Sequence, residues 1–171
     1  MKFFGPKSLS TWCYYGARLF ALGCSLLATF ILLSFVFKTY KVADGRFYIG
    51  APLFKENMIN APFEHPIILS IILSLVYIAT FFYCLSTIMK SFQGQTLFNK
   101  SVIDQLYAFA GLNLVVFPIF FVVLEYIILR KDGLGNIHNL FLSIILGIGV
   151  LFVAAIFKRG LKVQNENDLT I

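Results

Sequence analysis

The sequence predicts an all-α membrane protein, a four-transmembrane-helix bundle with short loops, and two observations lead to this fold class. The first is composition: 59% of the 171 residues are hydrophobic and only 13% are charged. A soluble domain carries about 45–50% apolar and about 25% charged residues. The second is that four long stretches of the chain contain no charged residue. Together they exclude a disordered chain, a coiled coil, a disulfide-rich secreted module and an ordinary soluble enzyme.

The four uncharged stretches have the length of membrane spans. They are Leu19–Phe37, Ile67–Met89, Leu106–Leu124 and Leu140–Phe157, with 19, 23, 19 and 18 residues. A hydrocarbon core of about 30 Å needs about 20 helical residues at about 1.5 Å each. Membrane strands would alternate polar and apolar residues, and these stretches do not. We therefore predict helices over about 12–37, 67–89, 102–129 and 138–157. An outer loop over 38–66, an inner loop over 90–101 and a cytoplasmic tail over 158–171 complete the chain.

The flanking charges predict the orientation. Lys2 and Lys7 resemble the start of a signal peptide, but the apolar core that follows is too long and ends in no A-x-A site, so we expect a retained helix. An even number of helices puts both termini on one side. Eight lysines and arginines lie on that side and six on the other. Because cytoplasmic loops are enriched in these residues, we expect both termini in the cytoplasm of a bacterial cytoplasmic (inner) membrane. The cysteines, Cys13, Cys24 and Cys84, avoid the outer loops and suggest no disulfide framework.

Small residues recur four apart in three of the helices. They are Ala17, Ala21, Ser25 and Thr29 in the first helix, Ser70 and Ser74 in the second, and Ser143 and Gly147 in the fourth. Small side chains let helix backbones approach closely in lipid. We interpret them as packing surfaces within one bundle, because four helices must bury small faces somewhere. A homodimer face, and hence a homo-oligomer, remains the alternative.

The two longer loops offer turn and capping signals. In the outer loop, glycines and prolines mark turns, and Arg46–Ile49 is a candidate short strand. His65 has no second ligand near it in sequence, so we predict neither a metal site nor a cofactor. In the inner loop, Gly94 is a candidate C-cap of the second helix, and Asn99 or Ser101 begins the third.

The third helix carries the candidate intramembrane polar residues: Asn113, Pro118 and Glu125. Pro118 removes a backbone hydrogen bond and is expected to kink the helix, while Asn113 can hydrogen-bond across the bundle. Glu125 is the one acid within this apolar region, and such residues are functional candidates. Its position near the outer interface favours a structural role, in contact with headgroups, water or Arg130.

Two short motifs resemble a known family. The inner-loop run Phe92-Gln93-Gly94-Gln95-Thr96-Leu97-Phe98-Asn99 and the ending Glu166-Asn167-Asp168-Leu169-Thr170-Ile171 are similar to those of domain-of-unknown-function family 2975, small four-helix bacterial membrane proteins. The motifs cover about 20 residues, and Asn99 stands where Ser or Thr is expected, although Asn caps equally well. The resemblance implies no established activity. It implies a gene neighbour, a small helix-turn-helix regulator, and both motifs lie on the side assigned to the cytoplasm.

Three functions are compatible with these sequence features. The first is a membrane partner or regulator of that cytosolic protein, using a candidate partner-binding set of Gly94, Phe98, Asn99, Glu166, Asp168, Leu169, Thr170 and Ile171. The second is a small oligomeric transporter or channel using the polar third helix. The third, a membrane enzyme, is disfavoured because the two histidines and three cysteines form no cluster or redox pair.

The net charge of +6 does not predict nucleic-acid binding. The basic residues lie on both sides of the membrane and form no compact stripe. The lipid bilayer, through its anionic headgroups, is the simpler partner for them.

Overall fold

Four long helices dominate the computed structural model, which describes residues 8–50, 57–94, 98–133 and 136–168. They are α1 (Leu9–Val36), α2 (His65–Ser91), α3 (Lys100–Ile128) and α4 (Ile137–Asp168). Each is long and apolar enough to cross a membrane. The uncharged stretches thus mark helices of the expected length and composition.

The helix ends differ in detail from the sequence expectations. Ser8 occupies the N-cap position of α1, and its hydroxyl contacts that of Ser10 at 2.7 Å, so α1 begins earlier than expected. Asn99 is the N-cap of α3: its side-chain oxygen accepts a hydrogen bond from the Val102 backbone N–H at 2.9 Å. Gly94 is not the C-cap of α2, because that helix already ends at Ser91 and Gly94 lies in the following turn.

The outer loop forms a small sheet, which corrects the all-α expectation. Strands β1 (Lys41–Ala43), β2 (Arg46–Gly50) and β3 (Asn57–Pro62) pair antiparallel in that order. Asp44 and Gly45 join β1 to β2 with φ angles of 51° and 69°, as a two-residue type I′ hairpin requires. The candidate strand at Arg46–Ile49 corresponds to β2, and the Asp-Gly pair beside it is a recognisable hairpin signal.

The sheet packs on one end of the α1–α2 hairpin. Phe47 and Ile49 point from β2 onto Ile31 of α1 and Ile68 of α2, and all four are buried. Phe35 packs edge-to-face against this group, with its ring centroid 5.2 Å from that of Phe47. Because the loop cannot bury a core by itself, it completes one with the helix ends. We call this end of the bundle, where α1 and α3 end and α2 and α4 begin, the sheet end.

A second core joins α2, α3 and α4 at the opposite end, which we call the termini end. It is formed by Ile88 of α2, by Val102, Leu106, Phe109 and Leu112 of α3, and by Ala154 of α4. The main helix pairs are α1 with α2 and α3 with α4, and α2 also contacts α3. The bundle is therefore two helical hairpins joined through α2 and α3.

The small residues serve helix packing to different extents. Ala17 and Ala21 are buried on α1, but Ser25 and Thr29 are exposed and donate their hydroxyls to carbonyls of their own helix. On α4, a Cβ atom at Gly147 would lie 2.5 Å from Leu114 Cγ of α3. Gly147 is therefore a point of close approach within the chain.

The expected C-terminal tail is a continuation of α4. Helix continues without interruption past Phe157, the last residue of the uncharged stretch, to Asp168. Lys162 and Glu166, one turn apart, form an exposed ion pair at 3.7 Å on this extension. A pair of this kind stabilises a helix by only about 0.3–0.5 kcal/mol. Its spacing of four residues is the one that brings two side chains together on a helix.

Candidate functional site

Helix α3 is irregular where its polar residues lie. Two α-helical segments, Lys100–Gly111 and Phe117–Val122, alternate with two π-helical turns, Leu112–Val116 and Val123–Ile128. Pro118 lies in the first turn of the second α-helical segment. The backbone thus accommodates the expected proline break by widening its turns. Such π-turns occur preferentially at functional sites.

The first π-turn and Pro118 together leave one backbone carbonyl of α3 without a hydrogen bond in its own helix. The Phe117 N–H bonds to the Leu112 oxygen, five residues back. In the same register the next donor would be the N–H of residue 118, and proline has none. The Asn113 carbonyl therefore lacks a helix partner, and the Ser143 hydroxyl of α4 donates to it at 2.9 Å.

The side chain of Asn113 completes this crossing point. Its Nδ2 donates to the Phe109 carbonyl at 2.8 Å, and its Oδ1 lies 3.3 Å from the Ser143 hydroxyl. The residue is 1% exposed. Asn113 thus bonds to α4, as its place in an apolar helix predicts, and the donor on α4 is the Ser143 hydroxyl.

Glu125 is held by a lysine and an asparagine rather than by Arg130. Its side chain lies 2.8 Å from Lys131 Nζ and accepts a hydrogen bond from Asn136 Nδ2 at 2.9 Å. Arg130 has a φ of 49°, which reverses the chain after α3, so that the Lys131 N–H returns to the Glu125 carbonyl at 3.0 Å. The expected contact with Arg130 is therefore replaced by one with the next residue.

These polar groups border one interhelical cavity of about 570 Å³ between α2, α3 and α4. Glu125, Asn136 and Asn139 lie towards the sheet end, and Asn113 and Ser143 lie deeper along the helices. The intervening walls are largely aromatic: Tyr77, Phe81, Phe82, Phe117, Phe120 and Phe121. The cavity is therefore apolar along its length, with polar groups at both ends.

Sequence reasoning missed part of this cavity. Asn136, just before α4, and Asn139 and Ser143 on α4 line it, but the sequence prediction includes only Ser143, as a small packing residue. Their spacing of three and four residues places them on one helix face. That spacing was the available signal. Tyr77 gave none, because an aromatic residue in a membrane span is ordinary.

At the termini end, the inner loop rests on α4. The Phe98 and Phe157 ring centroids are 5.3 Å apart, and those of Phe92 and Phe157 are 5.6 Å apart. A Cβ atom at Gly160 would lie 2.6 Å from the Phe98 ring. The loop motif therefore contacts the helix that leads to the terminal motif, near the point where the apolar stretch ends.

The candidate partner-binding residues occupy this end in different ways. Gly94 is exposed, Phe98 is half-buried against α4, and Asn99 caps α3. Glu166 is exposed on the α4 extension, and Asp168 is the last residue of that helix. The remaining candidates, Leu169, Thr170 and Ile171, lie outside the described residues.

Comparison with known proteins identifies a family. The model of DUF2975, described as a protein of unknown function, matches residues 48–171. The chain belongs to DUF2975. The match runs from β2 to the C-terminus and includes the cavity and both motifs. No curated protein and no solved structure matches the chain significantly.

Proposed function

We propose that this DUF2975 protein is a non-enzymatic, multi-pass protein of the bacterial cytoplasmic membrane that binds a cytosolic helix-turn-helix regulator at its termini end. The contact of Phe98 with Gly160 carries the proposal, because it joins the inner loop to the α4 extension. The inner-loop motif thereby lies against the helix that leads from Gly160 towards the terminal motif. The gene neighbourhood that the resemblance implies supplies the class of partner.

Basic residues flank the helices at both ends of the bundle. Lys90, Lys100, Lys158, Arg159 and Lys162 flank the helices at the termini end, and all five are exposed. Basic residues beside the spans favour the cytoplasmic side, where anionic headgroups attract each of them by about 1 kcal/mol. Lys38, Lys41, Arg46, Arg130 and Lys131 at the sheet end give a comparable number, so the orientation is part of the proposal.

The α4 extension is suited to contact a partner. From Lys158 to Asp168 it contains 11 residues and projects about 16 Å at about 1.5 Å per residue. Val163 lies on it with half of its surface exposed. A helix that continues beyond the membrane with an exposed apolar side chain among charges can be bound in the groove of another protein.

Site-specific photocrosslinking in cells tests this function. A photoreactive amino acid replaces Val163, and a matched control replaces Lys38 at the sheet end. We expect Val163 to crosslink to a small helix-turn-helix protein, identified by mass spectrometry, and the control to leave that protein unlabelled. Removal of residues 165–171 should abolish the crosslink. A helix-turn-helix adduct at Lys38, or none at Val163, contradicts the proposal.

The cavity favours a second candidate, a small oligomeric transporter or channel. Polar groups near a broken helix are typical of transport sites, and Asn113, Pro118 and Glu125 provide both features. Release of a trapped dye and of K⁺ from proteoliposomes tests this candidate. Release by the wild type must exceed that of empty liposomes and must fall in Glu125→Gln. Equal release from the variant and the wild type counts against transport.

A further inference from the structure

The cavity between α2, α3 and α4 contains two polar side chains that bond to no other residue in the described part of the chain. In α2, the hydroxyls of Ser70, Thr80, Ser86, Thr87 and Ser91 all bond back to a carbonyl of the same helix. Ser74 is the exception: it lines the cavity and bonds to none of the described residues. A hydroxyl facing an apolar space gains free energy from a ligand that accepts its hydrogen bond.

A second uncommitted group lies at the rim of the same space on α4, where it is exposed. The Asn139 side chain lines the cavity and bonds to no other residue in the described part of the chain. Asn136, one turn earlier, already donates to Glu125. Ser74 of α2 and Asn139 of α4 therefore offer donors from two different helices, while the other polar side chains named above bond to residues of the chain.

The charge balance at the cavity points to a neutral ligand. Glu125 is the charged residue in the described lining, and its carboxylate is already bound by Lys131 and Asn136. An organic cation would have to compete with Lys131 for that carboxylate. An anion would approach a carboxylate and lose hydration in an apolar space. A neutral molecule meets neither cost.

The walls specify the shape of the ligand. Tyr77 and Phe120 stack with centroids 5.1 Å apart and planes 14° apart, and Phe117 lies 5.1 Å from the same tyrosine. Flat rings favour offset stacking with a planar aromatic group. A saturated acyl chain would leave the Ser74 hydroxyl without a partner. The volume of about 570 Å³ is within the common range of small-molecule sites, about 300–1,000 Å³.

We infer that this cavity binds a neutral planar ring with carbonyl oxygens, the chemistry of a quinone, with Ser74 and Asn139 donating to those oxygens. The ring packs against the aromatic wall that Tyr77, Phe117 and Phe120 form together. Such a molecule has two sources, an isoprenoid quinone of the membrane or a free aromatic compound from outside it. The site is independent of the proposed partner at the termini end.

Binding to the full-length chain in nanodiscs of synthetic phosphatidylcholine and phosphatidylglycerol tests the inference. The probes are menadione and a decyl-substituted benzoquinone, and thermophoresis measures saturable binding relative to empty nanodiscs. Ser74→Ala should weaken binding about fivefold, the effect of losing about one net hydrogen bond. Ser70→Ala, the same change one turn away, should leave binding unchanged because Ser70 bonds to Ile67 of its own helix.

Each outcome decides the inference or identifies the source. Tighter binding of the decyl quinone, with quinone carried by protein purified from native membranes, identifies the membrane pool. Binding of menadione alone identifies a free aromatic compound. No saturable binding of either probe overturns the inference, as do equal effects of Ser74→Ala and Ser70→Ala. Preferential binding of the cation tetraphenylphosphonium would contradict the inference that the ligand is neutral.

Discussion

The hydrogen bond from Ser143 to the Asn113 carbonyl can be tested directly, because Pro118, five residues after Asn113, leaves that carbonyl without a partner in its own helix. Ser143→Ala removes the donor and leaves a buried carbonyl unpaired. An unpaired buried group costs about 1–3 kcal/mol, while bonds between membrane helices average about 0.6 kcal/mol and reach about 1.7. We therefore expect Ser143→Ala to lower the free energy of unfolding by about 1 kcal/mol.

Pro118→Ala tests the cause as well as the size of the effect. Alanine supplies the N–H that proline lacks, so the helix itself can satisfy the Asn113 carbonyl in the register set by the Phe117 bond to Leu112. In the Pro118→Ala background, Ser143→Ala should then cost little. The coupling between the two changes should be about 1 kcal/mol. A double-mutant cycle removes the change in helix propensity that Pro118→Ala brings by itself.

The measurement is unfolding by SDS in mixed micelles, followed by far-UV circular dichroism. Four proteins are compared: the wild type, each single variant and the double variant. Ser70→Ala is the control in both backgrounds, because its hydroxyl bonds within its own helix at 2.7 Å. An equal cost of Ser143→Ala in the two backgrounds would show that the serine does not compensate for the proline.

Three further predictions follow from close approach, charge and turn geometry. Gly147→Ala should be less stable than Gly149→Ala by about 1–3 kcal/mol in the same SDS assay. The methyl group added at residue 147 would collide with α3, whereas the one added at residue 149 meets no atom of the described residues. Equal stabilities would contradict this prediction. Lys131→Met should lower the free energy of unfolding by about 1–2 kcal/mol, because it leaves the buried Glu125 carboxylate without its half-exposed lysine. Arg130→Met, the same charge change one residue away, should lower it little. Equal losses in the two variants would show that net charge is the cause. Gly45→Ala should speed amide exchange in β1 and β2 with little change in the helices, because its φ of 69° costs a side chain about 1 kcal/mol; unchanged exchange would exclude strain at this turn.

The helices were predictable from the sequence because the bilayer imposes a simple rule. A span needs about 20 apolar residues whose backbone groups bond within the segment, and charge-free stretches reveal such segments directly. The helix ends were less accessible, because the cap is chosen by local geometry. The sequence offered Asn99 and Ser101 for α3, and the structure uses the former. The sheet in the outer loop was only partly seen, since β3 shows no alternating pattern and its pairing with β2 depends on chain geometry.

The candidate site was harder to predict because it depends on relations between helices. Asn113, Pro118 and Glu125 were recognisable as polar or helix-breaking residues in an apolar helix. Their partners were not, because Ser143 is 30 residues from Asn113 and Asn136 is 11 residues from Glu125. A single sequence contains no information about such pairs beyond residue type. The choice of Lys131 over Arg130 depends on one left-handed residue, which residue type alone does not predict.

The position of the cavity follows from how closely α3 and α4 pack along their length. At the termini end, Ala154 packs with the α3 core, and further towards the middle Gly147 brings the backbones together. Beyond that point the first residues of α4 carry polar side chains, and α3 enters its second π-turn, Val123–Ile128. Widened turns and polar side chains fill space less completely than interdigitated aliphatic ones. Helices α3 and α4 therefore pack closely towards the termini end and leave room towards the sheet end, where the α1–α2 hairpin packs on the sheet. A chain built only to pack four helices would not need the proline, the π-turns and the uncommitted Ser74 and Asn139 at the same place, and their coincidence is the physical reason to look for a ligand there.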